Sequence, residues 1–236
     1  EGIVRDAKPI AGFIVESMLS CAGQIPFPQG YLAKSFELIR NVGGLCIADE
    51  VQVGFGRLGS KMWAFEEHGV IPDIVVMGKP IGNGHPMAAV FTTKEIADSF
   101  KGMEFFSTFG GNPVSCAIGM AVLDVIEEKN LIENSKLMGE LFIDGLTKLK
   151  NRYEIIGDIR GKGLFLGIEL VKNRSSLEPA PKEAKLLVEG MLSKNILLSI
   201  DGPRKNVIKI KPPMVISKED VDRTIKSLNE VFSDIE

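Results

Sequence analysis

The sequence predicts an α/β fold for about the first 130 residues and a smaller α+β domain for the rest. In the first part, short apolar runs without polar alternation are separated by helical patterns. Such runs are typical of strands that are buried on both faces of a mainly parallel sheet. From about Leu131 the pattern changes to a long amphipathic helix followed by short strands punctuated by glycines. We therefore predict two domains, residues 1–130 and residues 131–236.

The first domain is predicted to alternate strands with helices, which is the arrangement that an α/β layer structure requires. Its strands are runs of aliphatic residues, and its helices have apolar residues at helical spacing. The predicted strands are Gly12–Val15, Leu45–Ala48, Ile74–Met77 and Ala88–Thr92. The predicted helices are Gln29–Asn41, Lys94–Phe100 and Pro113–Glu128.

The second domain is predicted to mix helices with short strands. The predicted helices are Leu131–Lys150, Lys182–Lys194 and Lys218–Val231. The predicted strands are Ile155–Ile159, Leu164–Leu170, Ile196–Ser199 and Val207–Ile210. Ser217 followed by Glu219 and Asp220 favours a helix start, because a serine side chain caps free amides and acids complement the helix dipole.

Composition limits the classes of function. The 236 residues are 44% hydrophobic and 25% charged with a formal net charge of −3, which is typical of a globular protein without a basic surface for nucleic acid. No apolar run approaches the roughly 20 residues of a membrane-spanning helix. The three cysteines are odd in number and lack metal-ligand spacing. We therefore expect no nucleic-acid partner, no membrane contact, no metal and a reducing location, the cytoplasm or the mitochondrial matrix.

The chain opens EGIVRDAKPIAGFIVES, without an initiator methionine or a signal-peptide layout. Within ten residues it reaches a predicted core strand. This beginning is typical of a piece of a longer protein.

Three separated stretches carry candidate chemistry. The first is residues 47–57, IADEVQVGFGR, where a predicted strand is followed by acidic residues. The second is residues 73–87, DIVVMGKPIGNGHPM, where Lys79 lies between a strand and a glycine-rich loop. The third is residues 107–113, STFGGNP, which precede a helix. Ligands of α/β sheets bind at the carboxyl ends of the strands, where Asp49 and Lys79 are both expected. A lysine buried there would cost free energy unless it is paired, neutralised or covalently used.

Two interpretations of Asp49 and Lys79 remain open from the residues alone. The first is a structural ion pair. The second is a cofactor site, in which the lysine amine forms a Schiff base with pyridoxal phosphate and the carboxylate keeps the pyridine nitrogen protonated. The amides and hydroxyls of residues 107–113 would suit a phosphate group.

Residues 47–89, together with FFSTFGGNPVSCA, RGKGLFLGIEL and KIKPPM, resemble the class III aminotransferases, which are fold type I pyridoxal phosphate enzymes. The resemblance implies that Lys79 is the Schiff-base lysine, that Asp49 pairs with the pyridine nitrogen and that Gln52 lies near the phenolic oxygen of the cofactor. It also implies that Thr108 binds the cofactor phosphate of a neighbouring subunit in a homodimer, with a tetramer as a further possibility. Family members are longer, so the chain resembles the C-terminal half, with an incomplete large domain.

Two positions depart from the amino-donor members of that family. VIKIKPPM has Lys209 where many members have a carboxylate-binding arginine, and VESMLSCAGQ has Cys21 where they have a gating glutamate. Lysine does not replace the bidentate fork of arginine. The pattern resembles the phospho-lyases that act on ethanolamine phosphate or phosphorylated hydroxylysine, and it makes Lys209 and Cys21 candidate substrate-binding residues.

The leading hypothesis is therefore a phospho-lyase that eliminates phosphate and ammonia from a small phosphorylated amine or amino acid. The first alternative is an ω-amino acid or alanine–glyoxylate type transaminase. The second is a non-catalytic truncated fragment.

Overall fold

Two four-stranded sheets organise the chain, and the computed structural model describes residues 9–236. Contacts between residues divide the chain into two units. The first unit contains the segment up to Ser17 together with Phe27–Phe55 and Lys61–Asn130. The second contains Met18–Pro26, Gly56–Ser60 and Leu131–Glu236. The assignment of residues 1–130 to the large domain and of residues 131–236 to the small C-terminal domain stays a prediction.

The sheet of the first unit has the order β1-β2-β3-β4. Its strands are β1 (Gly12–Glu16), β2 (Leu45–Asp49), β3 (Ile74–Met77) and β4 (Ala89–Thr92). The first three are parallel and β4 is antiparallel to β3, so the sheet is mostly parallel. The predicted α/β class is confirmed, because helices and a mostly parallel sheet build this unit.

The described part of this unit has three α-helices: α1 (Tyr31–Asn41), α2 (Lys94–Ser99) and α3 (Pro113–Glu128). Two short 3₁₀ segments, Ala64–His68 and Lys79–Ile81, follow β2 and β3. Side chains cap the starts of α2 and α3, where Thr93 accepts a hydrogen bond from the amide of Ile96 and Asn112 accepts one from Ser115. Local sequence therefore sets where these helices begin.

The strands of this sheet differ from the expectation that both faces are buried. Phe13 and Val15 of β1 pack against a buried cluster from α1 and Cys46 of β2, whereas Ile14 between them is 60% exposed. Val90 and Phe91 of β4 are 65% and 61% exposed. A run of apolar residues therefore predicts a strand, but it does not predict which face of the sheet is covered by a helix.

The sheet of the second unit is antiparallel throughout, with the order β5-β6-β8-β7. Its elements in chain order are α4 (Leu131–Arg152), β5 (Ile156–Lys162), β6 (Phe165–Leu170), α5 (Pro181–Ser193), β7 (Ser199–Asp201), β8 (Val207–Ile210) and α6 (Lys218–Ile235). Ser217 caps α6 in a capping box with Asp220, as its sequence predicts. Leu166, Ile168, Ile208 and Ile210 are fully or almost fully buried in the cluster shared with the helices.

The strand predicted at Ile196–Ser199 begins later, at Ser199. The amide of Ile196 donates to the carbonyl of Met191 and closes the end of α5, with Asn195 in the left-handed region at φ 60°. Ile196 and Leu198 pack against the core without strand pairing. Helix closure thus uses the apolar residues that the pattern assigned to a strand.

Candidate active site

Asp49 and Lys79 lie at the carboxyl ends of two neighbouring parallel strands. Asp49 is the last residue of β2 and stands opposite Val76 of β3, and Lys79 follows the end of β3 by two residues. The amide of Glu50 donates to the carbonyl of Val76 at 2.9 Å and extends the ladder past Asp49. Both residues therefore lie at the edge of the sheet where α/β proteins bind ligands.

The backbone at Lys79 is unusual for a lysine. Its φ is 33°, in the left-handed region that non-glycine residues rarely occupy, and it begins a 3₁₀ turn after Gly78. The side chain is exposed in the first unit, so the burial cost that its position after an apolar strand predicts is not incurred here. Strained backbone at such an edge is a frequent property of functional sites.

Asp49 is held by its own turn. Its Oδ1 accepts a hydrogen bond from the amide of Val51 at 2.9 Å, and the residue is half-buried. This short-range bond orients the carboxylate while the chain leaves β2. Gln52 follows in the same segment and is also half-buried.

Glu50, the neighbour of Asp49, is fully buried and accepts three hydrogen bonds. Its Oε1 accepts from Ser17 Oγ at 2.6 Å and from the amide of Phe65 at 3.0 Å, and its Oε2 accepts from the amide of Ala64 at 2.8 Å. Burial raises the pKa of the Glu50 carboxyl, and the donors from Ser17, Ala64 and Phe65 lower it by less. Glu50 thus connects the end of β2 to Ser17, the residue after β1, and to the 3₁₀ segment Ala64–His68.

The loop after Lys79 is fixed by a tight turn and a histidine. A Cβ on Gly82 would lie 2.1 Å from the carbonyl oxygen of His85, so only glycine fits there. His85 Nε2 lies 2.7 Å from Ser115 Oγ, and the Asn112 side-chain amide donates to the same oxygen at 2.9 Å. These bonds connect the Lys79 loop to the start of α3.

Thr108 lies on the exposed segment that precedes α3, in the same unit as Lys79. Its side chain is accessible to a ligand or to another chain. The predicted roles of Thr108 and Gln52 in cofactor binding stay predictions.

Lys209 and Cys21 belong to the second unit. Lys209 Nζ forms an ion pair with Asp201 Oδ2 at 2.6 Å, and the two side chains are 16% and 15% exposed. Cys21 is exposed, and its carbonyl accepts a hydrogen bond from the amide of Gly202 at 3.0 Å. Both predicted substrate-binding positions are therefore close to the strand end that carries Asp201.

Almost the whole chain matches the model of one protein family. Residues 3–232 match the model of the family described as "Aminotransferase class-III". The chain belongs to the class III aminotransferase family. This confirms the resemblance read from residues 47–89 and from the glycine-rich and KIKPPM stretches.

Curated relatives in this family carry two kinds of name. An alanine–glyoxylate aminotransferase 2-like protein of Drosophila melanogaster is 50% identical over 95% of this chain and 46% of its own length. The human mitochondrial alanine–glyoxylate aminotransferase 2 is 49% identical over 93% of this chain and 43% of its own length. Ethanolamine-phosphate phospho-lyase homolog 1 of Caenorhabditis elegans is 46% identical over 95% of this chain and 49% of its own length.

A solved structure is similar over the same range. A phospholyase from Arthrobacter in complex with phosphoethanolamine superposes with a TM-score of 0.92 at 39% identity, covering 95% of this chain and 54% of that one. The chain thus spans about half the length of the relatives it matches. Among residues 9–236, none of the helices combines the length and the apolar character that crossing a bilayer requires.

Class III aminotransferases are pyridoxal phosphate-dependent enzymes, and the residues of this chain fit that cofactor. An accessible lysine amine can form the covalent bond to its aldehyde, and a carboxylate at the neighbouring strand end can pair with its pyridine nitrogen. Lys79 and Asp49 lie at neighbouring strand ends of one sheet edge, and their roles toward the cofactor stay predictions.

Two acids near the candidate residues make contacts that the sequence does not predict. Glu50 follows Asp49 in the chain, but its partners Ser17 and Ala64 lie 33 and 14 residues away. Asp201 precedes a Gly-Pro turn, and only the pairing of β7 with β8 brings it beside Lys209. Neither contact has a local sequence signal.

Proposed function

We propose that the whole protein is a pyridoxal phosphate-dependent phospho-lyase that acts on a small phosphorylated amine such as ethanolamine phosphate. The observation that carries the proposal is the pair Asp49 and Lys79 at adjacent strand ends in a class III aminotransferase chain. Lys209 in place of an arginine and the names of the Caenorhabditis and Arthrobacter relatives support the phosphorylated substrate.

Each candidate residue has a proposed role toward the cofactor. Lys79 would hold it covalently, Asp49 would bind its pyridine nitrogen and Gln52 would lie beside its phenolic oxygen. Thr108 would bind the cofactor phosphate of the partner subunit in a homodimer. When bound, pyridoxal phosphate supplies an electron sink for the carbon that carries the substrate amine.

The chain's own residues would then move a proton and hold the leaving group. The Lys79 amine would take the proton from the amine-bearing carbon, and the carbon–oxygen bond to phosphate at the next carbon would break. Lys209 would bind that phosphate as a point charge, with Cys21 as a second proposed substrate contact. With one water consumed, the products of ethanolamine phosphate are the aldehyde, ammonia and inorganic phosphate.

A transaminase acting on an ω-amino acid or on alanine and glyoxylate is the second candidate. It is supported equally by relatives named alanine–glyoxylate aminotransferase 2. One experiment separates the two: the full-length protein is incubated with ethanolamine phosphate and no keto acid. We expect stoichiometric release of phosphate and ammonia, and turnover that requires a keto acid would exclude the lyase.

Lys79→Ala tests the cofactor role. We expect the variant to lose both the visible absorbance of covalently bound cofactor and all activity, whereas Lys94→Ala, at a side chain that is 84% exposed, should change neither. Persistence of the absorbance in Lys79→Ala would refute the assignment. Wild-type protein that never acquires this absorbance would instead support a non-catalytic fragment.

The proposed location is the mitochondrial matrix or the cytoplasm. The human relative's name includes "mitochondrial", which favours the matrix. Fractionation of cells that express the tagged full-length protein would decide between the two compartments. Light scattering of the same protein would test the proposed homodimer against a tetramer.

A further inference from the structure

The polar face of the second sheet carries an acid that has no role in the proposed function so far. Asp201 of β7 and Lys209 of β8 lie diagonally across the pairing in which Asp201 faces Val207. Residues two apart on a strand point to the same face, so both side chains share the face opposite the core residues Ile208 and Ile210. We infer that Asp201 is a displaceable counter-ion, which neutralises Lys209 until an anionic ligand group replaces it.

This inference rests on the proposed function, because it takes Lys209 to be the residue that receives the substrate's phosphate. It goes further by assigning the acid that competes for Lys209. A half-buried ammonium without a partner is costly, so the ligand-free protein needs a carboxylate at this position. The 2.6 Å separation supplies that carboxylate.

Gln24 makes the exchange possible. Its Nε2 donates to Asp201 Oδ2 at 2.7 Å and to the carbonyl of Ser20 at 2.9 Å, and the residue is fully buried. This orientation uses both amide hydrogens, whereas the flipped amide would set its oxygen against two acceptors. When Lys209 moves to another anion, Asp201 therefore keeps a buried donor and is not left unpaired.

Partial exposure also favours displacement. With 16% and 15% of their side chains exposed, Lys209 and Asp201 are reachable by a small anion, and the residual contact with water weakens their attraction. By contrast, Glu169 on the same face is bonded to Arg160, whose Nε donates to the carbonyl of Gly23 at 2.8 Å. Arg160 is also paired with Asp158 at 3.0 Å, so three groups hold it, and Lys209 is the better candidate to change partner.

Asp201→Asn in the full-length holoenzyme tests the inference, with inorganic phosphate as the probe, since bound cofactor then occupies its own site. We expect isothermal titration calorimetry to show phosphate binding roughly fivefold tighter than in the wild type, equivalent to about 1 kcal/mol. Lys209→Gln should lose the binding. Asp158→Asn removes an acid that is paired with Arg160 on the same sheet and should leave it unchanged.

A stability measurement accompanies the titration. Without phosphate, Asp201→Asn should melt at a lower temperature than the wild type, and saturating phosphate should raise its Tm by more than it raises that of the wild type. Unchanged or weaker phosphate binding in Asp201→Asn, or no binding in any variant, would overturn the inference. Because binding of inorganic phosphate needs no turnover, this result is distinct from a failure of ethanolamine phosphate to release phosphate.

Discussion

Glu50→Gln tests whether the buried carboxylate beside Asp49 holds the end of β2 to the 3₁₀ segment Ala64–His68. An amide has one acceptor oxygen where the carboxylate has two. If that oxygen keeps the donors Ser17 and Phe65, the new NH₂ group faces the amide of Ala64, which loses its 2.8 Å acceptor. A buried donor without a partner costs about 1–3 kcal/mol.

We take about 2 kcal/mol as the net change in the local opening free energy. Amide hydrogen exchange of Ala64 and Phe65 at neutral pH should then be roughly 30-fold faster in Glu50→Gln than in the wild type. The control is Glu37→Gln, because the Glu37 side chain is 57% exposed and pairs across the helix surface with Lys34. Exchange that accelerates less than about threefold would refute this account of Glu50.

The same variant gives a pH dependence with a definite sign. Burial raises the pKa of Glu50 in the folded protein, so the folded state binds this proton more tightly than the unfolded state does. The stability that protonation contributes is complete below the ordinary carboxyl pKa of about 4.3 and is lost as pH rises through the raised value. We therefore expect the free energy of unfolding of the wild type to approach that of Glu50→Gln as pH rises over that interval. A difference that does not change with pH would contradict the raised pKa.

Two further predictions concern the loop after Lys79. Gly82→Ala should destabilise the protein by about 2 kcal/mol or more and weaken cofactor binding, because its Cβ would overlap the carbonyl oxygen of His85. The control is Gly69→Ala, whose Cβ meets no atom within 4 Å and which should cost only about 1 kcal/mol of backbone strain. Equal losses of Tm in the two variants would contradict the steric argument. In a double-mutant cycle of unfolding free energies, His85→Ala and Ser115→Ala should show a coupling energy of about 1 kcal/mol. If the two losses of stability simply add in the double variant, the 2.7 Å contact contributes nothing to stability.

Most strands and helices could be predicted because their signals are local. Ile74–Met77 and Pro113–Glu128 have the bounds that the sequence predicts, the second because Asn112 caps it and Pro113 fits the first turn. The exception at residues 196–198 arises because the same apolar side chains can serve a helix end or a strand. Periodicity alone does not distinguish these two uses.

The candidate site was predictable to the extent that its chemistry is carried by residue type and order. A lysine and an aspartate at successive strand ends, Lys79 and Asp49, predict a ligand site at this sheet edge, and the structure places both residues there; their cofactor role stays a prediction. The left-handed backbone of Lys79 and the exposure of its side chain were not predictable, because they depend on how residues 78–85 turn back.

The sequence by itself determined the family, the mostly parallel first sheet and the residue types available for chemistry, since these follow from local patterns and from motifs that are long enough to be specific. The tertiary structure decided which charges meet. Ser17 reaches Glu50 across 33 residues and Gln24 reaches Asp201 across 177. Such contacts depend on strand register and on the path of connecting loops, and a shift of one residue would turn Asp201 to the opposite face from Lys209.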